Sequence, residues 1–104
     1  MFAVLLLTSA LALPEATPAQ VADRIADAQA SYRDCIADTI AARPQDEGND
    51  LALSAALERC RDAEIALRTQ TKMAPDATTA DTLAIVVDTR MDGVETGLRR
   101  RQTQ

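Results

Sequence analysis

Only two cysteines occur in this 104-residue chain, and their placement limits how it can fold. Cys35 lies twelve residues before Glu47, and Cys60 lies twelve residues after Gly48. Midway between them sits RPQDEGND, Arg43 to Asp50, the most polar stretch of the sequence. Pro44 disfavours helical backbone at Arg43, Gly48 accepts a left-handed conformation, and Asn49 or Asp50 suits a helix N-cap. The stretch reads as a bend between two helices.

The flanking segments support that reading. Thr17-Pro18-Ala19-Gln20 has the form of a capping box with proline at the first helical position. After it, Val21, Ile25, Ala28, Tyr32, Cys35, Thr39 and Ala42 recur at four- and three-residue spacing, with Ile36 and Ile40 beside them. The spacing predicts a helix over 18–42, a connection over 43–49 and a second helix over 50–72. That second helix should bury Leu53, Ala56, Leu57, Cys60, Ala63 and Leu67, and end before Pro75.

Two antiparallel helices turning near position 47.5 bring together residues whose numbers sum to 95. Cys35 and Cys60 meet that condition, as do Tyr32 with Ala63 and Thr39 with Ala56. The predicted outcome is a Cys35–Cys60 disulfide across a helical hairpin. Such a bond needs Cα atoms about 5.5 Å apart, closer than the usual 8–10 Å between packed helices. Small neighbours (Ser31, Thr39, Ala56, Ala63) allow that approach.

Thr78 to Asp81 is a second capping signal, followed by Leu83, Val87, Met91, Val94 and Leu98 at helical spacing, with Val86 alongside. A third helix over 79–100 is expected, with Leu83, Val87, Met91, Val94 and Leu98 inward. The competing reading is a hairpin turning at Asp92-Gly93, which the β-branched run before it would suit. A lone two-stranded hairpin is poorly stable, so the helix is preferred. Gly93 and Gly97 should fray or bend its second half. Arg99, Arg100 and Arg101 stand where a helix dipole favours cations.

From Leu13 onward Leu, Ile and Val number 16 and Phe is absent, so the core must be thin. A domain this small commonly depends on a staple or a partner subunit. Phe2 to Leu13 is mostly apolar and free of charge. As a helix it would span about 18 Å, short of the ~30 Å hydrocarbon core. With Ala10-Leu11-Ala12 at its end it reads as a signal peptide over 1–12, cleaved after Ala12 or alternatively after Ala19. No positive charge precedes the run and the run is short; a start site further upstream accounts for both. Residues 13–104 then form a single helical domain, periplasmic or secreted, with no stable membrane insertion once the leader is removed. The alanine- and arginine-rich style suggests a bacterial source.

Function classes narrow by what is missing. The chain has no histidine, no phosphate-cradling glycine loop and no nucleophile elbow. A net charge of -5 argues against nucleic acid as a partner. Two thiolates without histidine fall short of a zinc shell, and the spacing is not that of a Cys-x-x-Cys redox site. Carboxylates pair one helical turn apart at Asp23/Asp27, Asp34/Asp38 and Glu58/Asp62. They would suit a hard cation or proton transfer, but basic neighbours (Arg33, Arg59, Arg61) make them a solvated face.

The expectation is an all-α protein: a disulfide-linked antiparallel hairpin with a third C-terminal helix. It carries no catalytic, cofactor or metal residues and acts as a non-catalytic interaction or accessory protein of the cell envelope. An unidentified protein or a second copy would be its partner. The alternatives are an acidic metal binder or enzyme using the carboxylate pairs, and a membrane-tethered subunit with an uncleaved leader.

Overall fold

Helix α1 (Pro18–Ala41) starts at Thr17, whose side chain accepts from the Gln20 backbone N–H at 3.1 Å while Gln20 accepts from the Thr17 N–H at 2.8 Å. The capping box read from the sequence is therefore formed. In this computed structural model, which describes residues 16–104, three more helices follow: α2 (Asn49–Arg59), α3 (Arg61–Lys72) and α4 (Thr79–Gln102). The described residues are all-helical, as expected, but with four helices instead of three. The proposed leader, residues 1–12, lies outside them.

The expected helix over 50–72 is interrupted at one residue, Cys60 (φ -98°, ψ 15°). Hydrogen bonds from Cys60 N–H to the Ala56 carbonyl and from Glu64 N–H to the Cys60 carbonyl carry the ladder across the break. The interruption is thus a pinch in one arm. It falls at the residue drawn to 5.8 Å, Cα to Cα, from Cys35. That separation is well inside ordinary helix spacing, so the arm must yield locally to reach it.

The arm runs antiparallel to α1, which the Cys35–Cys60 bond and a Tyr32–Glu64 hydrogen bond fix in register. Helix α4 then returns parallel to α1: Arg90 meets Tyr32, Gly93 meets Ile36, and Gly97 meets Ile40. In the turn before it, Ala77 N–H bonds to the Ala74 carbonyl, with Pro75 and Asp76 at its centre. Asp76 adopts φ 64°, the left-handed region that asparagine and aspartate tolerate better than most residues. Thr78 and Asp81 form the second capping box.

Helix α4 departs from expectation in its buried face. It is continuous through Asp92-Gly93, which disposes of the hairpin reading, and the two glycines do not fray it. Its buried residues are Thr82, Val86, Thr89, Gly93, Gly97 and Arg101. Leu83 and Met91, expected inward, are 52% and 63% exposed. The reason is steric. A Cβ on Gly93 would come 2.8 Å from the Ile36 Cβ and 2.7 Å from the Arg33 carbonyl oxygen. One on Gly97 would come 2.8 Å from the Ile40 Cβ. The glycines form a notch that receives two isoleucines of α1, and close backbone approach replaces large side chains as the source of contact.

The core has the same character throughout. Tyr32, Ile36, Ile40, Leu67 and Val86 are its large members, packed with Ala37, Ala52, Ala56 and Cys60. Leu53, Leu57 and Ala63 are only half-buried, and Ala42, expected in the stripe of α1, is exposed because that helix ends at Ala41.

Candidate interaction surface

The one covalent constellation is the disulfide. Cys35 and Cys60 are joined at an S–S distance of 2.04 Å, and no free cysteine is present among the described residues. Cys60 is 1% exposed. Thr39, one turn beyond Cys35, lies with its hydroxyl 3.7 Å from the Cys60 sulfur and donates to the Cys35 carbonyl at 2.7 Å. The Cys60 side is closed to an attacking thiolate and Cys35 is half-buried, which fits a structural bond better than an exchanging one.

A polar cluster ties the three arms together. The buried Tyr32 of α1 donates its hydroxyl proton to Glu64 of α3 at 3.0 Å and accepts from Arg90 of α4 at 2.8 Å. Arg90 also pairs with the same Glu64 oxygen, while Arg68 reaches the other at 3.2 Å. Burial pushes the Tyr32 hydroxyl above its ordinary pKa, and the opposing pull of Arg90 does not cancel it. Burial works against the Glu64 carboxylate too, but Arg90, Tyr32 and Arg68 outweigh that cost and hold its pKa below the usual value. Hydrogen bonding to Tyr32 comes first in raising the Arg90 pKa, so the guanidinium is a permanent cation. The Tyr32 hydroxyl and both Glu64 carboxylate oxygens are engaged by partners on the other arms or on α3, an arrangement that suits a clamp.

A second polar device fastens the bend. Arg101 of α4 is 5% exposed, and its guanidinium donates to the backbone carbonyls of Pro44 and Glu47. Gln45 returns the contact, donating to the Arg101 and Gln104 carbonyls at 2.9 and 2.8 Å. Within the bend, Arg43 and Glu47 form a forked pair at 2.7 and 2.9 Å. Arg101 therefore does more than complement a helix dipole.

The carboxylate pairs stay apart from all of this. Asp23, Asp27, Asp34, Asp38, Glu58 and Asp62 are exposed. Arg33 pairs with Asp34 at 3.4 Å, as its position suggested, whereas Asp38 takes its base from α4, Arg100 at 2.7 Å. Among the described residues no three His, Cys, Asp or Glu side chains gather as a metal shell would require.

Met91, expected inward, instead lines a surface groove. Helix α2 stands off from α4, and between them opens a cleft of about 650 Å³ lined by Leu53, Met91, Val94 and Leu98. Asp88, Asp92 and Glu95 rim it, and none forms an ion pair among the described residues. Arg90 also reaches the cleft, but its charge is committed to Glu64.

No protein-family model matches this chain, and no curated protein or solved structure matches it either. Sequence reasoning missed Glu64, Arg90 and Arg101. A signal existed for the first: Tyr32 and Glu64 sum to 96, one step from the register the cysteines set. Arg90 and Arg101 had none, because their partners depend on where α4 docks.

Proposed function

We propose that this chain is an exported, non-catalytic interaction protein of the cell envelope. The observation that carries the reading is the apolar groove between α2 and α4, where exposed Met91 stands with half-buried Leu53, Val94 and Leu98. Met91, Leu83, Ile65 and Leu51 of this disulfide-stapled bundle remain more than half exposed, and of these Met91 lines the groove. Exposed apolar side chains gathered into a groove are the usual mark of a surface that binds something. The staple itself favours an oxidising compartment. No helix among the described residues is long and apolar enough to cross a membrane. Removal of residues 1–12 suits the structure better than a cut after Ala19, because the latter would delete Thr17 and the cap of α1.

The test is capture. The oxidised protein is returned to its source cells with an affinity tag, cross-linked in the intact envelope, and its neighbours are identified. A reproducible stoichiometric partner outside the cytoplasm is expected. Recovery of the protein in the cytoplasm with reduced thiols overturns the reading. N-terminal sequencing of the same material distinguishes a chain beginning at Leu13 from a tethered form that keeps its leader.

A further inference from the structure

The groove between α2 and α4 carries charge information as well as apolar area, and together they indicate what fits it. Resting on the interaction role above, we propose that it is a docking site for a cationic amphipathic helix of another protein. Leu83, Val87, Met91, Val94 and Leu98 fall on one stripe of α4 spanning roughly 22 Å at 1.5 Å per residue. Leu83 and Met91 are exposed; the other three are half-buried, Val94 and Leu98 against the core. Leu53 of α2 supplies the facing wall. A helix laid along the stripe would add a fourth arm to the three of the bundle, its apolar residues at i, i+3 or i+4, and i+7 filling the cleft.

The rim selects the charge of that helix. Asp88, Asp92 and Glu95 follow one another at i, i+4 and i+7 on the flank of the stripe, so they form a row on a single side of the groove. Arg99, one further turn along, is the row's only base, leaving it net negative. Lysines or arginines flanking the apolar face of the incoming helix would answer all three carboxylates.

A second copy of this chain is a poorer occupant. Two copies set net-negative rows against one another. An antiparallel pairing that matched Asp88 with Arg99 would still oppose Asp92 to Glu95. Anionic lipid is repelled by the same rim.

Three labelled peptides probe the site against the full oxidised chain by fluorescence anisotropy. One is a leucine–lysine amphipathic helix, the second a leucine–glutamate helix of identical apolar spacing, and the third a scrambled leucine–lysine sequence. Saturable one-to-one binding of the first alone is expected. Met91→Glu, and separately the triple reversal Asp88→Lys, Asp92→Lys, Glu95→Lys, should each weaken it about tenfold or more. Leu51→Glu, exposed but outside the groove, should not. Circular dichroism establishes that each variant is folded.

Equal binding of the scrambled peptide overturns the proposal, as does binding indifferent to both groove variants. So does a dimer by sedimentation that Met91→Glu dissolves, which makes the occupant a second copy, or flotation with anionic vesicles lost on the same change. A captured cell-envelope partner that survives Met91→Glu overturns the groove and leaves the broader interaction role standing.

Discussion

Gly93 lies so close to Ile36 that a single added methyl would fall 2.8 Å from the isoleucine Cβ. The contact joins two parallel helices along their most intimate seam, and Gly97 repeats it one turn later against Ile40. In an isolated helix Gly→Ala would gain about 1 kcal/mol. Here the obstruction involves the Arg33 and Ala37 carbonyls as well as side chains, and backbone cannot step aside cheaply. Gly93→Ala and Gly97→Ala should each be net destabilising, with overpacking costing about 1–3 kcal/mol against that gain. Chemical denaturation followed by circular dichroism measures it; a stabilised variant would mean the helices stand further apart.

The disulfide closes a loop with a sequence separation of 25. Loop-closure entropy makes such a crosslink worth about 3.5 kcal/mol. For a core of small residues this is a large part of the total stability, commonly about 5–15 kcal/mol. Reduction, or Cys35→Ala with Cys60→Ala, should move the denaturation midpoint down sharply. The native oxidised protein should show no reactive thiol among residues 16–104.

Tyr32, Glu64 and Arg90 give stability a defined dependence on pH. Glu64 has a folded pKa below its ordinary 4.5, so its contribution is fully present above that value and is lost as pH falls through the depressed one. Glu64→Gln should flatten the acid limb of the stability curve. Tyr32 behaves in the opposite sense: its pKa lies above 10.0, and its contribution is present below pH 10 and declines as pH rises through the raised value. It is the sole tyrosine in a chain without tryptophan, so the ultraviolet absorbance of tyrosinate reports this one residue. A native midpoint at or below 10.0 would contradict the burial seen here.

Arg101 holds the bend between α1 and α2 from the far end of α4. Arg101→Met keeps most of the apolar stem but strips the donors from the Pro44 and Glu47 carbonyls. Bonds from a charged donor contribute about 1.5–3 kcal/mol, and a loss of that order is expected. Hydrogen exchange of the amides over residues 43–49 should accelerate more than that of α3. Arg101→Lys should recover only part, since one ammonium does not reproduce the fork.

What the sequence determined by itself was local or set by a symmetric spacing. Both capping boxes, the bend over Arg43 to Gly48, the all-helical character and the Cys35–Cys60 bond follow from residues near one another in the chain or equidistant from one turn. Within that bend, however, Gly48 is itself the N-cap of α2 at φ -62°, neither left-handed nor followed by the expected Asn49 or Asp50 cap. Only the tertiary structure decided which face of α4 is buried. Apolar periodicity ranks Leu83, Met91 and Leu98 above Gly93 and Gly97, because hydrophobicity is scored one side chain at a time. Burial in this bundle is won by shape. Two glycines admit two isoleucines at backbone range, Arg90 and Arg101 find partners on other arms, and Leu83 and Met91 are left facing outward. Such complementarity belongs to a pair of surfaces, so neither helix contains it alone.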